Sequence, residues 1–337
     1  MRIVMVGCGG MSQRWLTETA ACPEADVVGF VDIDRERAEN RRAEFGAAGA
    51  VAGTSLKTVL QSVNPDVVFD CTVPEAHCNV TLTALEAGCH VLGEKPMADC
   101  MSNARKMVRA AAEKDRLYAV IQNRRYVDGT VRYRELVQSG RIGPLTTLNA
   151  DFYIGAHFGG FRAAMEHVLL LDMAIHTFDQ ARFISGADAS SVYCYEWNPG
   201  GSWYRHGASA MCIFEMTNDL VFSYRGSWCS EGLNTSWECE WRAVGEKGSA
   251  TWDGRDAVSA QTVTPGDSLI WPAQDLAVPE RSRLSRTGHA AIIHEFLDCV
   301  RNGGTPQTVC TDNIRSLAMV HAAIESAEAG RKVAVRA

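Results

Sequence analysis

No apolar run in the 337 residues approaches the ~20 needed to span a bilayer as a helix. No run of lysines and arginines occurs either, and 33 basic against 40 acidic residues leave a net charge of −7. That balance argues against nucleic acid and anionic membrane surfaces as partners. The twelve cysteines are dispersed and contain no C-x-x-C, and no Cys/His spacing matches a zinc site. A disulfide scaffold is thereby set aside and no metal is expected. Cys71, Cys89 and Cys299 lie in apolar segments and are expected to act as small buried hydrophobes in a reducing compartment. The first strand pattern starts at residue 2, so no leader is expected, and the cytoplasm is the expected location.

What is present is a chain long enough for two domains. Over the first ~120 residues, strand and helix signals alternate, the pattern of a parallel sheet covered on both faces. Strands are predicted at Ile3–Val6, Val27–Val31, Ala50–Ala52, Val67–Cys71, His90–Gly93 and Tyr118–Ile121. Helices are predicted near 10–21, 35–45, 55–63, 76–87 and 100–114, with Thr54 as the N-cap of the third and Gly88 closing the fourth. After residue 122 a helix at Arg132–Ser139 is followed by strands at Leu145–Phe152, Val192–Trp197, Ala208–Glu215, Leu220–Trp228 and Glu238–Val244. Helices near 166–184, 288–301 and 312–329 complete the pattern, and 253–286 reads as a long loop or flap. The expected class is α/β: a doubly wound parallel sheet over residues 1–122, then an α+β domain over 123–337 with a large, mostly antiparallel open sheet.

The first strand runs into Gly7-Cys8-Gly9-Gly10-Met11-Ser12, close to the dinucleotide fingerprint G-x-G-x-x-G/A. Gly7 would make the tight turn, Gly9 would admit the pyrophosphate, and the helix N-terminus from Gly10 and Met11 would stabilise it. Ser12 takes the third, small-residue position. Asp32 ends the second strand and suits the adenosine ribose hydroxyls, which favours NAD. Arg35 and Arg37 leave NADP open. A helix cap is the competing reading of Asp32 and Asp34. Thr72, Pro74, His77 and Asn123 follow later strands at the same edge, where they can line the nicotinamide side; Glu94 precedes a lysine there.

That lysine is Lys95, in Glu94-Lys95-Pro96 at the end of the fifth strand. Hydride leaves a carbinol carbon as its hydroxyl proton is removed, so the reaction needs a base and a cation beside the oxygen. Lys95 can supply the cation. Asp172, His176 and Asp179 share one face of a predicted, otherwise apolar helix. His176 is the natural base, Asp172 can orient it or hold a neighbouring hydroxyl, and Asp179 reads as structural. A metal reading of these three is unnecessary beside the lysine and the dinucleotide turn.

With these residues in place, the chain resembles the glucose–fructose oxidoreductase/inositol dehydrogenase (Gfo/Idh/MocA) family. The resemblance rests on Gly7–Met11, Asp32, Glu94-Lys95-Pro96 and Asp172…His176, with Ala174 where glycine is commoner. It implies a Rossmann domain followed by an α/β domain with an open sheet often used for oligomerisation, hence a homodimer or homotetramer. It also implies Lys95, Asp172 and His176 in catalysis. The expected activity is NAD(P)-dependent hydride transfer at a hydroxyl-bearing carbon of a sugar, cyclitol or derivative. A glycosidase that oxidises its substrate transiently on NAD, and a non-enzymatic nucleotide or sugar sensor, are the alternatives. Arg124, Tyr153, Arg162 and His167, with the loop from Trp197 to His206, are the substrate candidates. Trp228, Trp237 and Trp241 read as sheet residues.

Overall fold

The computed structural model describes residues 1–337. In chain order the first elements are β1 (Arg2–Val6), α1 (Gly10–Ala20), β2 (Asp26–Val31), α2 (Arg35–Phe45), β3 (Val51–Gly53), α3 (Leu56–Val63), β4 (Val67–Asp70), α4 (Pro74–Glu86), β5 (His90–Gly93), α5 (Met101–Glu113) and β6 (Tyr118–Val120). There follow α6 (Asp128–Gln138), β7 (Leu145–Tyr153), α7 (Ile175–Ser185), β8 (Ala189–Trp197), β9 (Ser209–Met216), β10 (Val221–Ser227), β11 (Glu240–Gly245), β12 (Gly248–Trp252), β13 (Val258–Val263) and β14 (Ala273–Asp275). The chain closes with α8 (Gly288–Asn302), α9 (Cys310–Ala329) and β15 (Val333–Ala334). Two compact units result: residues 1–123 with 285–314, and residues 124–284 with 315–337.

In the first unit six parallel strands are ordered β3-β2-β1-β4-β5-β6. This is the doubly wound order, whose direction reverses between β1 and β4. β1 and β4 are buried almost end to end, as short apolar runs covered on both faces require. Ser55, not Thr54, caps α3: its Oγ accepts the Thr58 N–H at 3.4 Å. Helix α4 starts two residues earlier than expected because Pro74 sits at its first turn, where a missing N–H costs nothing.

In the second unit nine strands form one sheet, ordered β14-β13-β12-β11-β7-β10-β9-β8-β15. Only β7 and β10 run parallel; every other pair is antiparallel. Burial alternates along β7 and β9, so one face is covered and the other open. Phe178 of α7 meets Phe214 at 4.9 Å and Tyr224 at 5.4 Å on the covered face. Tyr133 of α6 bonds the Ala250 carbonyl at 3.1 Å. Tyr193, Tyr195, Met211, Ile213 and Val221 stand exposed on the open face.

The stretch 253–286 is not a plain loop: it contributes β13 and β14 to the sheet edge. The helix expected near 166–184 begins as a π-helical segment, Leu169–Ala174, before α7. Trp237 lies outside the strands and is exposed, and Trp228 sits one residue past β10. All twelve cysteines are free; Cys89 is buried, but Cys71 and Cys299 are only partly so.

Candidate active site

The first unit holds the dinucleotide turn. Gly7 has φ +83°, and a Cβ there would lie 2.6 Å from the Cys71 carbonyl, so only glycine fits. Gly9 is the N-cap of α1 and brings no side chain to its free N–H groups. A Cβ on Gly9 or Gly10 would meet nothing within 4 Å. The first turn of α1 carries no acidic residue. Open backbone donors at a positive helix end are what a pyrophosphate needs, so these residues fit a dinucleotide. Ser12 ties the turn by donating to the Gly9 carbonyl at 2.7 Å. Met11 is half exposed beside it.

Asp32 is fixed by backbone donors: Oδ2 accepts from Cys8 N at 2.7 Å and Oδ1 from Asp34 N at 2.9 Å. Each oxygen retains capacity for a further donor. The cap of α2 is Asp34, which accepts from Glu36 N at 3.0 Å, so Asp32 is not used as the cap. Arg35 and Arg37 pair with Glu39 and Asp34, at 3.6 and 3.3 Å.

At the end of β4, Asp70 is fully buried and organises the next turn. Its Oδ1 accepts from Thr72 N at 3.0 Å and Thr72 Oγ1 at 2.6 Å. Its Oδ2 bonds His77 Nδ1 at 2.9 Å. Burial acts to lower the His77 pKa, but the Asp70 charge and hydrogen bond outweigh it and the net shift is upward. His77 is 1 % exposed, so the structure gives it a hold on Asp70 and no open face toward a ligand. Pro74 stands partly exposed on the same turn.

Glu94 is buried and bridges two elements. Its Oε1 accepts from Trp15 Nε1 and its Oε2 from Lys95 N, both at 3.0 Å. Burial raises its pKa, opposed by the Lys95 charge and the Trp15 bond. Lys95 is half-buried, followed by a cis bond to Pro96. Asn123 opens a short 3₁₀ turn, Asn123–Tyr126, after β6.

In the second unit Asp172 lies in the π-helical segment and His176 in the first turn of α7, 7 % exposed. Asp172 is held by Arg162, with Nε to Oδ2 at 2.5 Å and Nη2 to Oδ1 at 3.5 Å. Asp179 is engaged elsewhere: Arg125 grips it at 2.7 and 2.6 Å and Ser316 Oγ donates at 2.7 Å. Asp172, in the π segment, and Asp179, in α7, are thus held by different arginines. No cluster of three or more His, Cys, Asp or Glu side chains is placed to hold a metal ion.

Among the substrate candidates, Arg162 and Arg124 both reach the π segment. Arg124 Nη2 lies 3.5 Å from Met173 Sδ, and Nη1 bonds the Trp237 carbonyl. His167 turns to Glu196, Nδ1 to Oε2 at 2.5 Å, and that hydrogen bond raises its pKa. Tyr153 shares its sheet face with Asp151 and Asn149, opposite the face covered by α7, so it is not brought to Asp172.

Sequence reasoning missed Trp15, Asp70, Phe158 and Phe161, and it did not foresee the hold of Arg125 on Asp179. The arginine centre of Arg162 lies 5.1 Å from the Phe158 ring centroid and 4.7 Å from that of Phe161. The loop that carries them is pinned at the Ala156 carbonyl, which accepts from Trp203 Nε1 at 2.9 Å and Tyr204 OH at 2.7 Å. The loop from Trp197 to His206, a substrate candidate, is thus bonded to the segment that carries Arg162.

Both units match known protein families. Residues 1–122 match the model described as an oxidoreductase family with an NAD-binding Rossmann fold. Residues 130–251 match the GFO/IDH/MocA C-terminal domain. A 1,5-anhydro-D-fructose reductase of Ensifer adhaerens is 23 % identical, over 97 % of this chain and 96 % of its own. A D-apiose dehydrogenase of Paraburkholderia graminis is 24 % identical, over 98 % and 89 %. An Agrobacterium radiobacter oxidoreductase, solved with NAD+, L-tartaric acid and magnesium, superposes with a TM-score of 0.84 at 22 % identity, covering 99 % of this chain and 98 % of its own.

Proposed function

Because the chain belongs to the GFO/IDH/MocA family of NAD-binding oxidoreductases, we propose that it transfers hydride between a hydroxyl-bearing carbon of a sugar, cyclitol or derivative and the nicotinamide. NAD supplies the hydride acceptor or donor; the chain's own residues bind, orient and move the proton. The observation that carries the reading is the open Gly9–Gly10 helix end beside an Asp32 carboxylate already fixed by backbone N–H groups. Asp32 accepts ribose hydroxyls and repels a 2′-phosphate. The pairing of Arg35 and Arg37 with acidic neighbours further favours NAD over NADP.

Glu94 holds the Lys95 backbone and Trp15, so the lysine is presented from a rigid strand end. In this account Lys95 stabilises the developing alkoxide and His176 accepts the hydroxyl proton. Asp172 accepts a neighbouring substrate hydroxyl while Arg162 keeps it oriented. The aromatic faces of Phe158, Phe161 and Trp203 suit a sugar's mixed surface. The related reductase and dehydrogenase are named for carbohydrate substrates. The open sheet face, lined by Tyr193, Tyr195, Met211 and Ile213, is the surface through which we expect homo-oligomers to form.

The test is NADH formation across a panel of sugars, cyclitols and sugar acids. Net NADH with at least one polyol is expected. Release of a sugar from a glycoside without net NADH would instead identify the transient-oxidation glycosidase.

A further inference from the structure

We propose that Arg162 selects substrates bearing a carboxylate, making this an oxidoreductase of sugar acids; the inference rests on the hydride-transfer reading above and names its substrate class. Two of the guanidinium's nitrogens, Nε and Nη2, face Asp172. The side chain is nevertheless 31 % exposed, so the outer edge, Nη1 with the second Nη2 proton, is left for another acceptor. That edge is a planar fork, matched in geometry by a planar carboxylate.

The fork is prepared for a ligand. Gly159 and Gly160 both have positive φ, 62° and 61°, and turn the loop so that Phe158 and Phe161 lie beside the guanidinium. Those two rings are 48 % and 70 % exposed. Both lie within cation–π distance of the guanidinium and help to hold it in place. Ala163 accepts the Arg205 N–H at 2.9 Å, which brings a second arginine's backbone next to the Arg162 loop. The nearby acidic groups are largely engaged: Asp172 with Arg162, and Glu196 with His167. Glu166 is exposed to solvent.

The chemistry is consistent with one pose. Asp172 accepts a hydroxyl of the substrate, and Arg162, bonded to the same Asp172, donates to a carboxylate a few bonds away. The carboxylate takes no part in the transfer: the carbinol loses hydride to NAD and a proton to the base, and the acid group only binds. A charge-assisted pair gained by the acid and absent from its neutral analogue corresponds to about tenfold or more in kcat/KM.

The experiment pairs glucose with glucuronate and galactose with galacturonate, with glucose 6-phosphate as the phosphate arm. It reads the acid-to-neutral ratio of kcat/KM, and separately the binding of each compound to the NADH complex by calorimetry. For the native chain the ratio should be about ten or more. Arg162→Met should bring it to about one, and Arg162→Lys should keep part of it. A native ratio of one or less, a preference for the phosphate, or no calorimetric binding of either acid overturns the proposal. So does an equal loss for acid and neutral substrates in Arg162→Met, which would mark a guanidinium that only positions Asp172. Absence of NADH binding would instead sink the hydride-transfer reading, whereas NADH binding with neutral-sugar turnover and no acid preference sinks only this inference.

Discussion

Replacing Asp179 with alanine should damage the second unit more than any exposed charge could. The carboxylate is 1 % exposed and its partner Arg125 is 5 % exposed. Two charge-assisted bonds of 2.7 and 2.6 Å join them, and Ser316 adds a third at 2.7 Å. Arg182 Nη1 lies 4.0 Å from the same carboxylate. Without Asp179, the buried Arg125 guanidinium loses the carboxylate that grips it, while Arg182 keeps Asp188 at 2.8 Å. Breaking one member of such a pair costs about 3–5 kcal/mol. For a unit of this size that is roughly 6–20 °C in Tm. The helix affected is α7, which also carries His176, so activity should fall with stability. Scanning calorimetry of Asp179→Ala, Arg125→Met with Asp179→Leu, and the unaltered chain is the assay. The double variant removes both charges of the pair and should recover a large part of the loss. A single variant within about 1 kcal/mol of the parent, or a double variant as unstable as the single one, would refute the reasoning.

Further outcomes follow from the same geometry. Gly7→Ala, forced to φ +83° against the Cys71 backbone, should lose about 1–3 kcal/mol of stability as well as NAD binding. Gly9→Ala meets no protein atom, so it should melt like the parent and yet bind NAD at least about tenfold more weakly; unchanged NAD affinity in a fluorescence titration would count against the turn. His167 has a pKa raised first by its Glu196 bond, so the stability it contributes is fully present below about pH 6.5 and fades as pH rises through the raised value. The Tm gap between the parent and His167→Gln should therefore be widest near pH 6 and close toward pH 9; a constant gap would remove the ion pair from the account. Tyr195→Lys with Ile213→Glu on the open sheet face should shift the mass seen by light scattering from oligomer to monomer, and a parent that is itself monomeric would contradict the assigned interface.

Much of the first unit was legible because its strands are short, apolar and buried on both faces, leaving little ambiguity of period. β1, β2, β4 and β5 fell where the runs predicted them. The edge of the second sheet was not legible. β14 is wholly exposed and β13 buries only Ala260, and a strand with so little buried face carries little alternating apolar signal to read. The π segment was also hidden, since Leu169-Leu170-Leu171 is apolar whichever turn it takes and a one-residue widening leaves no compositional mark. Asp172 and His176 could be singled out as polar residues in an apolar helix. Their partners could not: Arg162 and Arg125 are ten and 54 residues from the aspartates they hold. Likewise Asp32 and Asp34 were equal candidates for the cap of α2 until backbone geometry gave that role to Asp34 alone. His77 looked like an edge residue from its place in the chain; only the fold reveals that it turns inward to Asp70.

The most direct test of the central claim is isotopic. A polyol that supports NADH formation is supplied with deuterium on the carbon to be oxidised, and the product NADH is weighed by mass spectrometry in single turnovers of the parent, Lys95→Met and His176→Ala. The account predicts deuterated NADH from the parent, with the rate falling by about 10²-fold or more in each variant. NADH without deuterium, or full rates from both variants, would contradict it.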